Sequence, residues 1–100
     1  MEIKEENKEN GITLFISGEI DGTNVDEFEE QVTAAADRTG NLNLDLSELE
    51  YVSSAGLRVF LTLQKRVKQQ GNEVVIRHVN NEVMDIFSVT GFVKLLNIEV

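Results

Sequence analysis

The chain has 100 residues, 41% of them hydrophobic, so it makes one domain (1–100) with a genuine core but no room for a deep multi-subsite cleft. It holds no cysteine and one histidine, which excludes a disulfide framework, a thiolate metal site and any multi-histidine metal site. The formal net charge of −9 sets it against nucleic acid and anionic membrane as direct partners, and suits a partner with a basic face.

Residues 2–9 are mostly charged around Ile3, which predicts at best a short edge strand protected by its charge. The opening MEIKEENKEN has no apolar signal region, so the expected location is the cytoplasm. Asn10-Gly11 predicts a hairpin turn. Residues 12–17 (ITLFIS) alternate as a strand, with Ile12, Leu14 and Ile16 on one face and Phe15 suggesting partial cover on the other. Gly18 to Gly22 break the pattern and predict a loop.

Residues 24–38 predict the first helix. Asn24 and Glu27 have the spacing of a capping box, and Val25, Phe28, Val32, Ala35 and Ala36 form the apolar stripe. Gly40 is a stop signal. Residues 41–46 (NLNLDL) alternate strictly, which predicts a strand with one face open, or with Asp45 hydrogen-bonded near its end. Residues 47–52 read as a turn in which Leu49 and Val52 plug the core and Tyr51 packs with its hydroxyl wet. Residues 53–70 predict the second helix, with Gly56, Phe60, Leu63 and Val67 inward, widened by Leu57, Val59 and Leu61. Lys65, Arg66 and Lys68 form a late basic strip that suits the helix dipole, and Gly71 ends the helix. Residues 73–77 (EVVIR) predict a buried strand. Residues 81–89 predict a third helix with Val83, Ile86, Phe87 and Thr90 inward and Gly91 as its stop, and residues 95–100 a last strand. No apolar run approaches the ~20 residues that cross a bilayer. The order ββαβαβαβ predicts an α/β domain: a mixed sheet, mostly parallel with an antiparallel edge, and helices packed on it.

The chemistry concentrates at Ser53 and Ser54, where a strand hands over to a helix N-terminus. Unpaired backbone N–H groups and the helix dipole make that corner receptive to a phosphate. The plain reading is that Ser53 is an N-cap. The second reading is a phosphorylation switch: a phosphate would add about −1.5 to −2 charges and change what the surface can dock, without unfolding the domain. A serine hydrolase would need His78 as its base, and there is no G-x-S-x-G elbow. Asp21 and Asp45 could pair for acid–base or metal work, but each suits an ordinary turn role better. Gly18, Gly22 and Gly71 form no phosphate-cradling pattern. No catalytic residue, metal ligand or cofactor is expected.

Three segments carry a family resemblance: GEID (Gly18 to Asp21), LDLSELEYVSSAGLRV (Leu44 to Val59) and TGFVKLLNI (Thr90 to Ile98). Together they resemble the STAS domain of bacterial anti-sigma factor antagonists over essentially the whole chain. The resemblance implies partner switching. The unphosphorylated antagonist binds an anti-sigma factor that is also a serine kinase of the GHKL ATPase type, phosphorylation at the start of the second helix releases it, and a PP2C-type phosphatase resets the cycle. The commonest family form is Asp-Ser-Ser-Gly or Asp-Ser-Thr-Gly, with the modified residue directly before the glycine. Here Ala55 fills that slot and Ser53 stands where the aspartate would be. Other members similarly read Ser-Ala-Gly, which implies Ser54 as the phosphosite, with Ser53 second. Asp21 matches the family's acid beside the partner surface. The implied docking set is Asp21, Ser53, Ser54, Ala55, Gly56 and Arg58. STAS-like domains also serve as constitutive adaptors in transport or signalling complexes, and Ala55 is the feature that favours this alternative.

Overall fold

The computed structural model describes residues 1–9 and 11–99. Strand β1 (Glu2–Lys8) and the ten-residue β2 (Gly11–Ile20) form the antiparallel hairpin, with Glu2 opposite Ser17 and Lys8 opposite Gly11. Asn10, half of the expected turn, lies outside the described residues. Then follow α1 (Val25–Arg38), β3 (Leu42–Asp45), β4 (Leu49–Val52), α2 (Ser54–Gln69), β5 (Val74–Arg77), α3 (Asn81–Thr90), a 3-10 turn (Phe92–Lys94) and β6 (Ile98–Glu99). The sheet runs β1-β2-β3-β5-β6, and β4 pairs with the far half of β2. Every pairing except β1–β2 is parallel among the described residues. The expected α/β architecture is present.

The helices cover one face of the sheet. Ile12, Leu14, Ile16, Leu42, Leu44, Val74 and Ile76 point into the core, where Phe28, Phe60 and Phe87 link the three helices edge to face at centroid distances of 5.2 and 6.1 Å. Thr13, Phe15, Asn43, Val75 and Arg77 lie on the opposite face and are half-buried. The strict alternation of residues 41–46 therefore has both of its expected origins: Asn41 and Asn43 face the open side, while Asp45 is buried and hydrogen-bonded at the strand end. The open side is also why β5 alternates between buried and half-buried instead of being buried throughout.

Four expectations need correction. Residues 49–52 are a strand, not part of a turn. Glu50 is an extra residue in the pairing: Gly18 faces Leu49 and Glu19 faces Tyr51. This bulge lets Leu49 and Val52, three apart, both point inward, and so hides the strand from a period-two pattern. The last strand shrinks to Ile98–Glu99, because Gly91 opens a 3-10 turn in which the Leu95 and Leu96 N–H groups both donate to the Phe92 carbonyl instead of to a strand; Val100 lies outside the described residues. Asn24 makes no cap for α1. Its amide faces backwards instead, accepting from the Asp21 N–H at 3.0 Å and donating to the Glu19 carbonyl at 2.9 Å. Thr90 is exposed, its hydroxyl donating to the Ile86 carbonyl one turn back, and Ile86 itself is only half-buried.

Candidate functional site

The serine corner is built by the β2–β4 pairing. Ile20 lies beside Val52, and the Ser53 N–H donates to the Ile20 carbonyl at 2.9 Å. That pairing sets the Asp21 loop beside the start of α2. The two serines then divide their roles. The Ser53 hydroxyl accepts from the Gly56 N–H at 3.2 Å, so Ser53 is the N-cap, and it is half-buried. Ser54 is the first helical residue and is exposed. The amides of Ser54 and Ala55 come too early in α2 to have an acceptor in their own helix, so they leave a local excess of donors at the surface.

Gly56 faces the other way. It is buried, and a Cβ there would sit 2.7 Å from Val52 Cγ2 and 2.9 Å from Ile20 Cγ2. Its burial agrees with the inward stripe expected of α2. The glycine lets the first turn of α2 rest on β2 and β4. Ala55 is half-buried beside the exposed Ser54, and Arg58 is exposed one turn further on, on the Ser54 side of the helix.

Asp21 is half-buried, and its carboxylate accepts from both the backbone N–H and the hydroxyl of Thr23. Those hydrogen bonds, the hydroxyl's first, hold its pKa below the ordinary aspartate value. Asp45 is 8% exposed at the end of β3. Burial opposes its charge, but the Ser47 N–H at 3.0 Å, the Ser47 hydroxyl at 2.7 Å and His78 Nδ1 at 2.8 Å outweigh that cost, and its pKa too is lowered. The two carboxylates do not converge. Asp45 faces Phe15, six residues up β2 from Asp21, which is roughly 20 Å of strand.

His78 bonds Asp45 and neither serine, so no Ser–His relay forms. Its φ of +56° is unusual for a non-glycine residue and fits the tight exit from β5 that brings the ring over Asp45. Among the described residues no cluster of three or more acidic, histidine or cysteine side chains could hold a metal ion. No described helix is long and apolar enough to cross a membrane. Among the described residues, neither serine lines one of the main surface grooves.

One residue that the sequence reading passed over anchors the β3–β4 turn, at the other end of β4 from the serines. The Asn80 side chain caps α3 by accepting from the Val83 N–H at 3.0 Å, and its amide donates to the carbonyls of Leu46, Ser47 and Leu49. It thus ties the β3–β4 turn to α3. Its only signal in the sequence is an asparagine just before a helical stretch.

The sequence pattern of the STAS domain family matches residues 2–100. The chain belongs to the STAS domain family. It is 30% identical over 90 residues to the anti-sigma-B factor antagonist of Bacillus subtilis, covering 90% of this chain and 83% of that one. The anti-sigma-B factor antagonist of Listeria monocytogenes is 30% identical over 100 residues, covering 99% and 87%. Among solved structures, the anti-sigma factor antagonist SpoIIAA in its unphosphorylated form superposes with a TM-score of 0.78 at 13% identity, covering 99% of this chain and 89% of that one. The phosphorylated form of Bacillus SpoIIAA superposes at 0.72 and 12% identity, covering 99% and 92%. At that identity the structures speak for the fold alone. This STAS domain thus shares its fold with a protein solved both with and without phosphate.

Proposed function

We propose that this STAS domain is an anti-sigma factor antagonist that works by partner switching in the cytoplasm, and that it is not an enzyme. In its unphosphorylated form it docks an anti-sigma factor of the GHKL ATPase type through the corner formed by Asp21, Ser53, Ser54, Ala55 and Arg58. That kinase phosphorylates Ser54, and a PP2C-type phosphatase removes the group. The observation that carries this reading is the division between the serines: Ser53 spends its hydroxyl on the cap, while Ser54 is exposed at the first helical position. A phosphate on Ser54 would meet the free amides of the helix start, and Arg58 lies one turn away to share its charge. The fold would stand while the docking surface turned strongly anionic.

The test is intact mass and site mapping after incubation with ATP and the organism's own anti-sigma factor. One added phosphate on wild type and on Ser53→Ala, but none on Ser54→Ala, is the expected result. Ser54→Asp should weaken partner binding at least tenfold, about 1.4 kcal/mol. The alternative, a constitutive adaptor, has Ala55 in its favour, because the position before the glycine offers no hydroxyl. It predicts no phosphate on any variant, and a Ser54→Asp variant that binds its partner like wild type.

A further inference from the structure

Helices α1 and α2 both begin at the serine corner and run side by side, and between them lies a groove of about 640 Å³. Its floor is apolar, formed by the buried Val59 and Leu63 of α2, and the exposed Ala34 with Thr33 and Thr62 completes the lining. Its α1 wall is acidic: Asp26, Glu29, Glu30 and Asp37, of which 26, 30 and 37 repeat at helical spacing. The one cation on the rim, Arg66, is already engaged, with its guanidinium 3.1 and 3.2 Å from the two Asp37 carboxylate oxygens. Asp26, Glu29 and Glu30 have no ion-pair partner among the described residues.

The fold does not account for this wall. The helix dipole favours Asp26 in the first turn, but its influence fades by Glu29 and Glu30 and opposes Asp37 in the last turn. Asp26 and Glu30 are like charges at i and i+4, which destabilises an isolated helix. A groove with an apolar floor and uncompensated acids along one wall is complementary to a segment that brings apolar side chains flanked by lysine or arginine. From Asp26 to Asp37 the wall is about 16 Å long, three turns of helix. It starts where the Asp21–Ser54 corner ends, so a partner seated on the corner has the groove directly in its path.

We propose that the α1–α2 groove is a second docking element, receiving a Lys- or Arg-bearing helix of the same partner that engages the Ser54 corner; this rests on the proposed function above. The groove supplies affinity that phosphorylation does not touch, and the corner supplies the switch. The test uses the organism's own anti-sigma factor as probe and compares wild type with two double variants of equal net charge. Glu29→Lys/Glu30→Lys reverses the groove wall, while Glu9→Lys/Glu73→Lys reverses two exposed acids outside it. The groove variant should lose at least tenfold in affinity at low salt, and its binding should depend less steeply on salt. The distal variant should stay within about twofold of wild type. Lysine suits the helix interior and replaces a like-charge contact with Asp26, so an unchanged or raised melting temperature confirms that the variant is folded. Equal losses in both variants would mean that net charge alone acts, and would overturn the groove. Wild-type binding by the groove variant, with loss on Ser54→Asp, would overturn the groove and leave the switch standing. No binding by wild type, or none of the expected loss on Ser54→Asp, would remove the reading on which both rest.

Discussion

Replacing Gly56 by alanine tests how the corner is held. The new Cβ would stand 2.7 Å from Val52 Cγ2 and 2.9 Å from Ile20 Cγ2, where carbon contacts prefer about 3.5–4.0 Å. Neither neighbour gives way easily. Both are β-branched with stiff χ1 angles, and they are 1% and 0% exposed. Relief requires the first turn of α2 to lift away from β2 and β4, straining the Ser53 cap on the Gly56 N–H. Overpacking of this kind costs about 1–3 kcal/mol, and alanine's better helix propensity returns up to about 1 kcal/mol. The expected net loss is about 1–2 kcal/mol, or roughly 5–15 °C in melting temperature for a domain of this size. Thermal and urea denaturation followed by circular dichroism measure it. Gly22→Ala is the control, since a Cβ there meets nothing within 4 Å; it should stay within about 0.5 kcal/mol of wild type. A Gly56→Ala protein at least as stable as wild type would refute the claim that close packing sets the height of this helix.

Two further outcomes follow from the hydrogen bonds at the β3–β4 turn. Asn80→Ala removes the α3 cap and the donor to the carbonyls of Leu46, Ser47 and Leu49, and should cost about 2–3 kcal/mol in urea denaturation. Asn80→Asp keeps the cap acceptor but puts a carboxylate against those carbonyls, so it should rescue little; full rescue would show that the cap alone matters. The lowered pKa of Asp45 gives stability that is present above the ordinary aspartate pKa near 4 and is lost as pH falls through the lower folded-state value. In Asp45→Asn the acid limb of a stability–pH profile should be shallower. An unchanged acid limb would mean that the Ser47 and His78 hydrogen bonds do not favour the charged form.

Most elements of this domain were legible because local pattern and tertiary role agree. The stripes of α1 and α2 become their buried faces, NLNLDL reports a sheet open on one side, and Gly91 stops α3 in the left-handed conformation. The serine pair stood out for a local reason too, since a helix start is recognisable from its cap. What the sequence could not display were features that depend on partners distant along the chain. Strand β4 exists because a bulge against β2 turns Leu49 and Val52 to the same side. Asn24 is a miss with a local cause: it looked like a cap, but the carbonyl of Glu19 and the N–H of Asp21 compete for its amide. Gly56 reads as an inward position, but the contacts with Val52 and Ile20 that demand a glycine there appear only in the fold. The α1–α2 groove needs two helices laid parallel before acids on one can flank apolar residues of the other. Periodicity, caps and stops act within one or two turns of chain, so the sequence by itself determined the elements and the position of the serine corner. The register of β4, the close seat of Gly56 on Ile20 and the pairing that brings the Asp21 loop beside the start of α2 were decided by packing between segments far apart in sequence.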